Sequence, residues 1–407
     1  MAYRVRTVRD LDEFTAAIGA IGHYFGWQPT AEDAERFSKI LPLERMLAVF
    51  DDGRIVAGAG AYPMELTLPG GPAPCAGVTV VGVLPSHRRR GLLRRMMEAQ
   101  LRDVRERGEP VAALWASEET IYGRFGYGLA SLSLHVEAKR SRLRIRSELP
   151  REGGFRLIDH DEALRVLPRL YGRVRRRTPG FLDRSKDWWE SRRLSDRPEQ
   201  RRGAGPLVRA LYERDGAPAG YALYRIAQDG ATFAEWTKTV RVIEVMGIDE
   251  AARRDIWRFL LEIDWTDVLR AEQLPVDDAL LLLVDKVNEL GLRVYDGLWT
   301  RPMDVAAALT ARGTGADGRA TIEVTADPQF PDNVGTWTID AGGRVRRSSR
   351  RPDVRVDVQA LGSTLLGGFT FAELARGGRA EEGSRGGLAR ADALFRVERA
   401  PWCPEIF

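Results

Sequence analysis

The residues best suited to chemistry stand in one run, "VGVLPSHRRRGLLRR", from Val81 to Arg95. A β-branched apolar stretch, "AGVTVVGV", leads into it, and a helical pattern follows as far as Gly108. A strand, a short loop and a helix start are therefore expected in that order. The loop delivers Arg88, Arg89, Arg90 and Gly91 to the helix N-terminus. Unpaired N–H groups and the positive end of the dipole favour an anion there. Forked guanidinium donors suit a pyrophosphate, and a glycine lets phosphate oxygens approach the backbone. The run contains neither G-x-x-x-x-G-K-[ST] nor G-x-G-x-x-G, which sets aside a P-loop and a dinucleotide fingerprint. What remains is a device for gripping a diphosphate.

The other reactive side chains point to little. His23, His87, His135 and His160 show no ligand spacing, so no metal site is expected. Cys75 and Cys403 are too far apart in sequence to read as a disulfide framework. Trp188 and Trp189 in "KDWWE" read as packing. "RVRRSSRR" near 344–351 lacks interleaved aromatics and reads as a solvated hairpin. A net charge of +4 on 407 residues gives no reason to expect a nucleic-acid partner. The opening "MAYRVRTVRDLDEF" carries acids where a leader would not, and no apolar run reaches a membrane span of roughly 18 residues. A cytoplasmic protein without membrane partners is the expectation.

The elements that must position the arginine loop belong to a longer plan. With 407 residues, 44% of them hydrophobic, two or three domains are expected. "MLAVFDDGRIVAGAGAYPMELTLPG" reads as two strands around an Asp-Gly turn, and "PVAALWAS" as a buried strand after the helix. From about residue 150 the plan repeats in weaker form: "AGYALYRIAQDGATFAEWTKTVRVIEVMGI" offers strands, "DEAARRDIWRFLLEIDWTDVLRAEQ" a helix and "DALLLLV" a further strand. Placing "VGVLPSHRRRGLLRRMM" above "MGIDEAARRDIWRFLL" sets Asp255 opposite Gly91, with Asp249 and Glu250 nearby. Negative charge at that place repels a pyrophosphate, so one diphosphate site per chain is expected. From about residue 293 the pattern changes to that of a smaller α+β domain.

The loop resembles the acyl-CoA loop of the GCN5-related N-acetyltransferases (GNAT), Gln/Arg-x-x-Gly-x-Gly/Ala. It reads Arg88-x-x-Gly91-x-Leu93 and departs at the last position. "HRRRGLL" followed by "AALWASEETIYGRFGYG", in a chain of this length ending in phenylalanine, resembles the Eis (enhanced intracellular survival) family. The resemblance implies a mixed α/β fold: a catalytic GNAT domain over 1–147, a degenerate GNAT-type domain over 148–292 and a sterol-carrier-like α+β domain over 293–407. It also implies acetyl-CoA as co-substrate, a small-molecule amine as acceptor (an aminoglycoside, a polyamine or a lysine side chain) and hexameric assembly.

Carried onto this chain, the resemblance places the pantetheine on Val81, Gly82 and Val83. It places the pyrophosphate on Arg89, Arg90, Gly91, Leu92, Leu93 and Arg94, with Arg88 helping electrostatically and Ser117 and Glu118 also touching the cofactor. Tyr122 matches the general acid, with Tyr127 a nearby structural tyrosine. For the base, the resemblance points to the α-carboxylate of Phe407, and the tail "PEIF" is expected to dock Ile406 and Phe407 into the first domain. Glu118 and Glu119, at a strand end, remain the rival carboxylates. Glu32, Asp33, Glu35 and Glu405 are candidates to attract a cationic substrate, and Phe37 to stack on it. A second reading is a lipid- or ligand-binding protein built on the C-terminal domain, with a vestigial acetyltransferase fold.

Overall fold

In a computed structural model of the chain, residues 3–146, 150–230, 232 and 236–407 are described. They form two compact units. One comprises residues 1–131, 297–401 and 406–407, and the other residues 132–296 and 402–405.

The first unit begins with a seven-stranded sheet. Its strands are β1 (Arg4–Thr7), β2 (Met46–Asp51), β3 (Arg54–Leu68), β4 (Gly71–Val83), β5 (Val111–Trp115), the strand Leu298–Pro302, and β6 (Gly128–Leu129), in that spatial order. The expected Asp-Gly turn joins β2 to β3, with Asp52 and Gly53 both left-handed (φ 45° and 83°), as a two-residue hairpin requires. Helix α1 (Leu11–Gly22) is capped by Asp10, whose carboxylate accepts from Glu13 N at 2.8 Å, and it buries Phe14, Ala17 and Ile18. Helix α2 (Ala31–Ser38) opens on a capping box between Thr30 and Asp33.

Helix α3 (Leu92–Glu106) buries Leu92, Met96, Met97, Leu101 and Val104, spaced as one helical face requires, and stops at Gly108 (φ 75°). Each of those side chains contributes roughly 1.5–3 kcal/mol by leaving water, an upper bound given a compact unfolded chain. The C-terminal residues of this unit form a five-stranded sheet centred on Arg319–Val324. Helix Val358–Thr364 packs on the first sheet, where the Thr300 hydroxyl donates to the Gly362 carbonyl at 2.8 Å. The 344–351 arginines sit at a hairpin, where Arg346 pairs with Asp340 and Arg347 lies 4.5 Å over the Trp337 ring.

The second unit is built on another seven-stranded sheet, in the order Arg293–Asp296, Leu132–Lys139, Val268–Leu274, Thr237–Gly247, Ala217–Asp229, Val208–Arg214 and Gly154–Leu157. Of the boundaries expected from sequence, 147/148 falls on residues outside the described ones. Strand Leu132–Lys139 already belongs to the second sheet, and the chain passes back between Asp296 and Gly297 rather than at 292/293. Patterning misses this because only Ala130 and Ser131 at one crossing, and Gly297 at the other, separate the strands of the two sheets. Trp188 and Trp189 are buried in the second unit. Among the described residues no helix is long and apolar enough to cross a membrane.

Candidate active site

The site grows from a defect in β4. Parallel pairing with β5 covers only Cys75–Gly77 against Val111–Ala113, so past Gly77 the two strands part. The β3–β4 register slips between Gly58 and Gly60, putting one extra residue into β4 beside Val80, whose φ is 47°. A β-branched residue at positive φ costs on the order of 1–3 kcal/mol, and such bulges turn strands aside at functional sites. Beyond the bulge, Val81 and Val83 are half-buried on an edge that β5 leaves uncovered. Gly82 is small for a reason: a Cβ there would lie 2.7 Å from Ile21 Cα, inside the backbone of α1.

An open cavity of about 700 Å³ occupies this wedge. Its walls include Val81, Gly82 and Val83 from β4, Arg88, Arg89, Gly91, Leu92, Leu93 and Arg94 from the loop and α3, and Ser117, Glu118 and Tyr122 from the segment after β5. Gly91 is the N-cap of α3 in the left-handed region (φ 76°), and no side chain caps the first turn. The N–H groups there are available to an anion. Four arginines line the cavity, Arg88, Arg89, Arg94 and Arg124, against one carboxylate, Glu118. This arrangement suits a multiply charged anion.

Two expected residues lie apart from that lining. Arg90 turns away and donates to the Tyr3 hydroxyl at 2.6 Å, while Arg88 takes a place on the wall. Phe407 sits at the apex of the wedge instead: its ring lies edge-on to Tyr62 with centroids 6.4 Å apart and comes within 3.2 Å of the position a Gly77 side chain would take. Ile406, expected to dock with it, is 57% exposed.

Tyr122 is buried, and desolvation pushes its phenol up to about 12. Tyr127 is fully buried behind it, ring centroids 6.1 Å apart, and its phenol is likewise raised by burial. Glu118 is exposed. Thr120 donates to it from Oγ1 at 2.7 Å and from N at 3.3 Å, and these bonds hold the carboxyl below the usual range. Such a group is a helix cap and a poor base.

The substrate-facing acids fare differently from expectation. Asp33 is spent on the capping box and on Arg36, and Glu32 is exposed. Phe37 packs against Trp27 with centroids 6.0 Å apart. Glu405 is buried in the second unit between Arg184 and Arg193, where its charge is already neutralised. Sequence reasoning passed over Tyr24 and Phe25, which line the cavity from the turn after α1. Tyr24 donates from its hydroxyl to the Val83 carbonyl at 2.6 Å. The aromatic cluster "HYFGW" closing on a left-handed Gly26 was the signal.

The second unit repeats the strand plan. Strands Thr237–Gly247 and Val268–Leu274 pair in parallel only over Thr239–Val242, and Thr237–Gly247 carries a bulge at Ile243. What it lacks is the loop. Eight residues, Leu84–Gly91, separate β4 from α3, whereas two, Ile248 and Asp249, separate strand Thr237–Gly247 from helix Glu250–Leu261. The counterpart of Gly91 is therefore the N-cap Asp249, whose carboxylate accepts from Ala252 N at 2.9 Å. Asp255, aligned there by sequence, is a buried residue one turn into the helix that accepts from the Tyr212 hydroxyl at 2.7 Å. The alignment slipped because it carried a single deletion where the loop is six residues shorter. Segment Trp402–Glu405 lies on the parted strands, with the Trp402 indole donating to the Gln273 carbonyl and Arg193 donating to the Pro404 carbonyl at 2.8 Å.

Comparison with known proteins bears on these features. Residues 4–130 and 180–300 each match a model of an acetyltransferase (GNAT) domain, and 305–404 a sterol carrier protein domain. An uncharacterized N-acetyltransferase of Streptomyces avermitilis is 37% identical over 389 residues, 94% of each chain. N-acetyltransferase Eis of Mycobacterium tuberculosis is 32% identical over 376 residues, 89% of this chain and 90% of that one. The chain belongs to the Eis family of GNAT N-acetyltransferases. The crystal structure of Eis1 from Mycobacterium abscessus superimposes with a TM-score of 0.85 at 33% identity, covering 99% of this chain and all of the other. The fold is thus two GNAT domains followed by a sterol-carrier-like domain, and the protein is an acyltransferase. That membership sets aside the reading of a vestigial fold carrying a lipid-binding domain.

Proposed function

We propose that this Eis-family chain transfers an acetyl group from acetyl-CoA to the amine of a cationic small molecule of aminoglycoside, polyamine or lysine-like type. The supporting observation is the meeting, in one cavity, of an uncovered β4 edge, an uncapped α3 N-terminus and four arginines against one carboxylate. Val81, Gly82 and Val83 would align the pantetheine along β4. Arg88, Arg89, Gly91, Leu92, Leu93 and Arg94 would hold the pyrophosphate, with Ser117 and Glu118 across from them. Arg90 shapes the loop from outside. When bound, the donor supplies a thioester already activated toward an amine.

Tyr122 is the proposed acid. Against roughly 8.5 for an alkyl thiol, a phenol near 12 makes complete proton transfer to a departing thiolate unfavourable by roughly 5 kcal/mol. Tyr122 therefore acts by donating a hydrogen bond as negative charge develops on sulfur, and it stays protonated across the working pH range. An ordinary phenol near 10 would leave a gap of only about 2 kcal/mol.

The base is proposed to be the α-carboxylate that Phe407 carries as the last residue of the sequence. Its ring seats it against Gly77, the last β4 residue paired with β5. It would accept the proton the amine loses as the new C–N bond forms and the C–S bond breaks. Glu118, held low by Thr120, is the weaker candidate. With Asp249 where a phosphate would sit in the second copy, one donor site per chain is proposed. We carry hexameric assembly as a proposal on the same footing, to be checked by light scattering.

The test is a free-thiol assay of acetyl-CoA turnover over a panel of mono- and polyamines, with calorimetric titration of CoA. Turnover with no amine in the panel, or two CoA per chain, would overturn the proposal.

A further inference from the structure

The eight-residue loop between β4 and α3 has to hold an awkward shape. Arg89 and Gly91 are both left-handed (φ 60° and 76°), and nothing in a run of arginines keeps them so by itself. The structure shows what ties the loop down. The imidazole of His87, which lies on the cavity wall, has Nε2 3.1 Å from Asp51 Oδ2 and Nδ1 2.8 Å from the Ser86 hydroxyl. Asp51 is the last residue of β2, beside the tight β2–β3 turn, so it stands on one of the stiffer parts of the sheet. The His87 and Asp51 side chains are only 20% and 16% exposed, which shields their interaction from bulk water. Tyr3 meets the other edge of the imidazole, with ring centroids 6.3 Å apart, and also accepts from Arg90. Leu84 N donates to Val56 O at 2.9 Å at the start of the loop.

We infer that Asp51 and His87 are positioning residues for the donor site. They clamp the loop to the β2–β3 turn so that Arg88, Arg89 and the α3 N-terminus already face the diphosphate before the donor arrives. The mechanism above assigns no role to either residue. A pre-shaped anion site saves the ordering cost that a loose loop would charge against binding. The clamp therefore acts on affinity for the donor and not on the chemical step. The inference rests on the reading of the cavity as an acyl-CoA site.

The experiment compares wild type with Asp51→Ala, Asp51→Asn, His87→Ala and His87→Gln, measuring the Kd for CoA by calorimetry, KM for acetyl-CoA and kcat at saturating donor. Losing one partly buried charge-assisted hydrogen bond weakens binding by roughly tenfold. Asp51→Ala and His87→Ala are expected to raise Kd and KM together by about that factor, with kcat within about twofold. His87→Gln keeps a side-chain N–H to offer Asp51 and should recover most of the loss, as should Asp51→Asn, which keeps an acceptor. If one alanine variant fails to fold, the other still tests the clamp, because each removes one side of the same His87–Asp51 contact. A Kd within twofold of wild type in the alanine variants, or a fall in kcat at unchanged KM, overturns the inference. A wild-type chain that binds no CoA removes the reading of the cavity and the inference with it.

Discussion

Helix α3 carries its own control experiment. Gly91 precedes its first turn and Gly108 follows its last, with φ values of 76° and 75°, and a Cβ built on either meets nothing within 4 Å. Gly→Ala at each position therefore imposes the same backbone penalty and no clash. For an L-residue held in the left-handed region that penalty is roughly 1–2 kcal/mol. In a unit of this size it lowers Tm by roughly 2–8 °C, and both variants should show it about equally. They should differ in binding. At Gly91 the added methyl occupies the approach of a phosphate to the first N–H groups of α3, and a charge-assisted hydrogen bond lost there is worth roughly 1.5–3 kcal/mol, or about 10- to 150-fold in affinity. At Gly108, on the other end of the helix, nothing of the kind is present. Differential scanning calorimetry and donor-varied steady-state kinetics on both variants supply the readouts. Equal effects on KM for acetyl-CoA, or none from Gly91→Ala, would refute the assignment of the α3 N-terminus to the pyrophosphate.

Five further outcomes are expected. Tyr122→Phe should lower kcat by about 10²-fold while sparing the CoA Kd, since it removes a hydrogen bond to developing charge. Because burial raises the Tyr122 phenol to about 12, its protonated form persists above the usual phenol range, so activity should show no falling limb from this group below about pH 11; a break near 10 in a pH–rate profile that Tyr122→Phe abolishes would contradict the burial. Deleting Phe407, or adding one residue after it, should cut kcat by about 10²-fold or more with CoA binding intact. Gly77→Ala, whose methyl would press on the Phe407 ring at 3.2 Å and on Met64 Sδ at 2.8 Å, should give a milder version of that loss. Asp327→Ala should cost about 3–5 kcal/mol in chemical denaturation, because it strands Arg301, which is fully buried and bonded to Asp327 at 2.7 Å.

The loop and its helix were legible because their signal is local: a β-branched run, arginines, a glycine and a 3.6-residue pattern stand next to one another. The β2–β3 turn was legible for the same reason. What could not be read depends on partners far away in sequence. Arg90 and Arg88 are neighbours of identical type, and only the position of Tyr3, 87 residues before Arg90, decides that one braces the loop and the other faces the cavity. Glu405 reads as an available acid until Arg184 and Arg193 close on it. Ile406 and Phe407 look alike in a hydropathy pattern, yet one is exposed and the other lies against Gly77.

If, as proposed, only the first copy holds the donor, the two GNAT copies together separate what makes the wedge from what would make it a donor site. Both keep parallel strands that part after a short pairing, and both keep a bulge, at Val80 in one and Ile243 in the other. Splayed strands therefore do not suffice, since the second copy has them and fills the gap with Trp402–Glu405. Only the first copy has the eight-residue loop, a helix N-terminus with no side-chain cap and a left-handed glycine in the capping position; the second has two residues and a capping aspartate. The difference is one of charge as well as length, because the Asp249 carboxylate stands where a phosphate would and already accepts from Ala252 N in the first turn. Restoring an anion site to the second copy would thus take both an inserted loop and loss of that carboxylate. Asp249→Gly alone should leave the CoA stoichiometry at one per chain while costing a few tenths of a kcal/mol for the lost cap and up to about 1 kcal/mol more for the lost Arg214 ion pair. A second CoA bound by that single variant would show that the cap, and not the loop, decides which copy binds the donor.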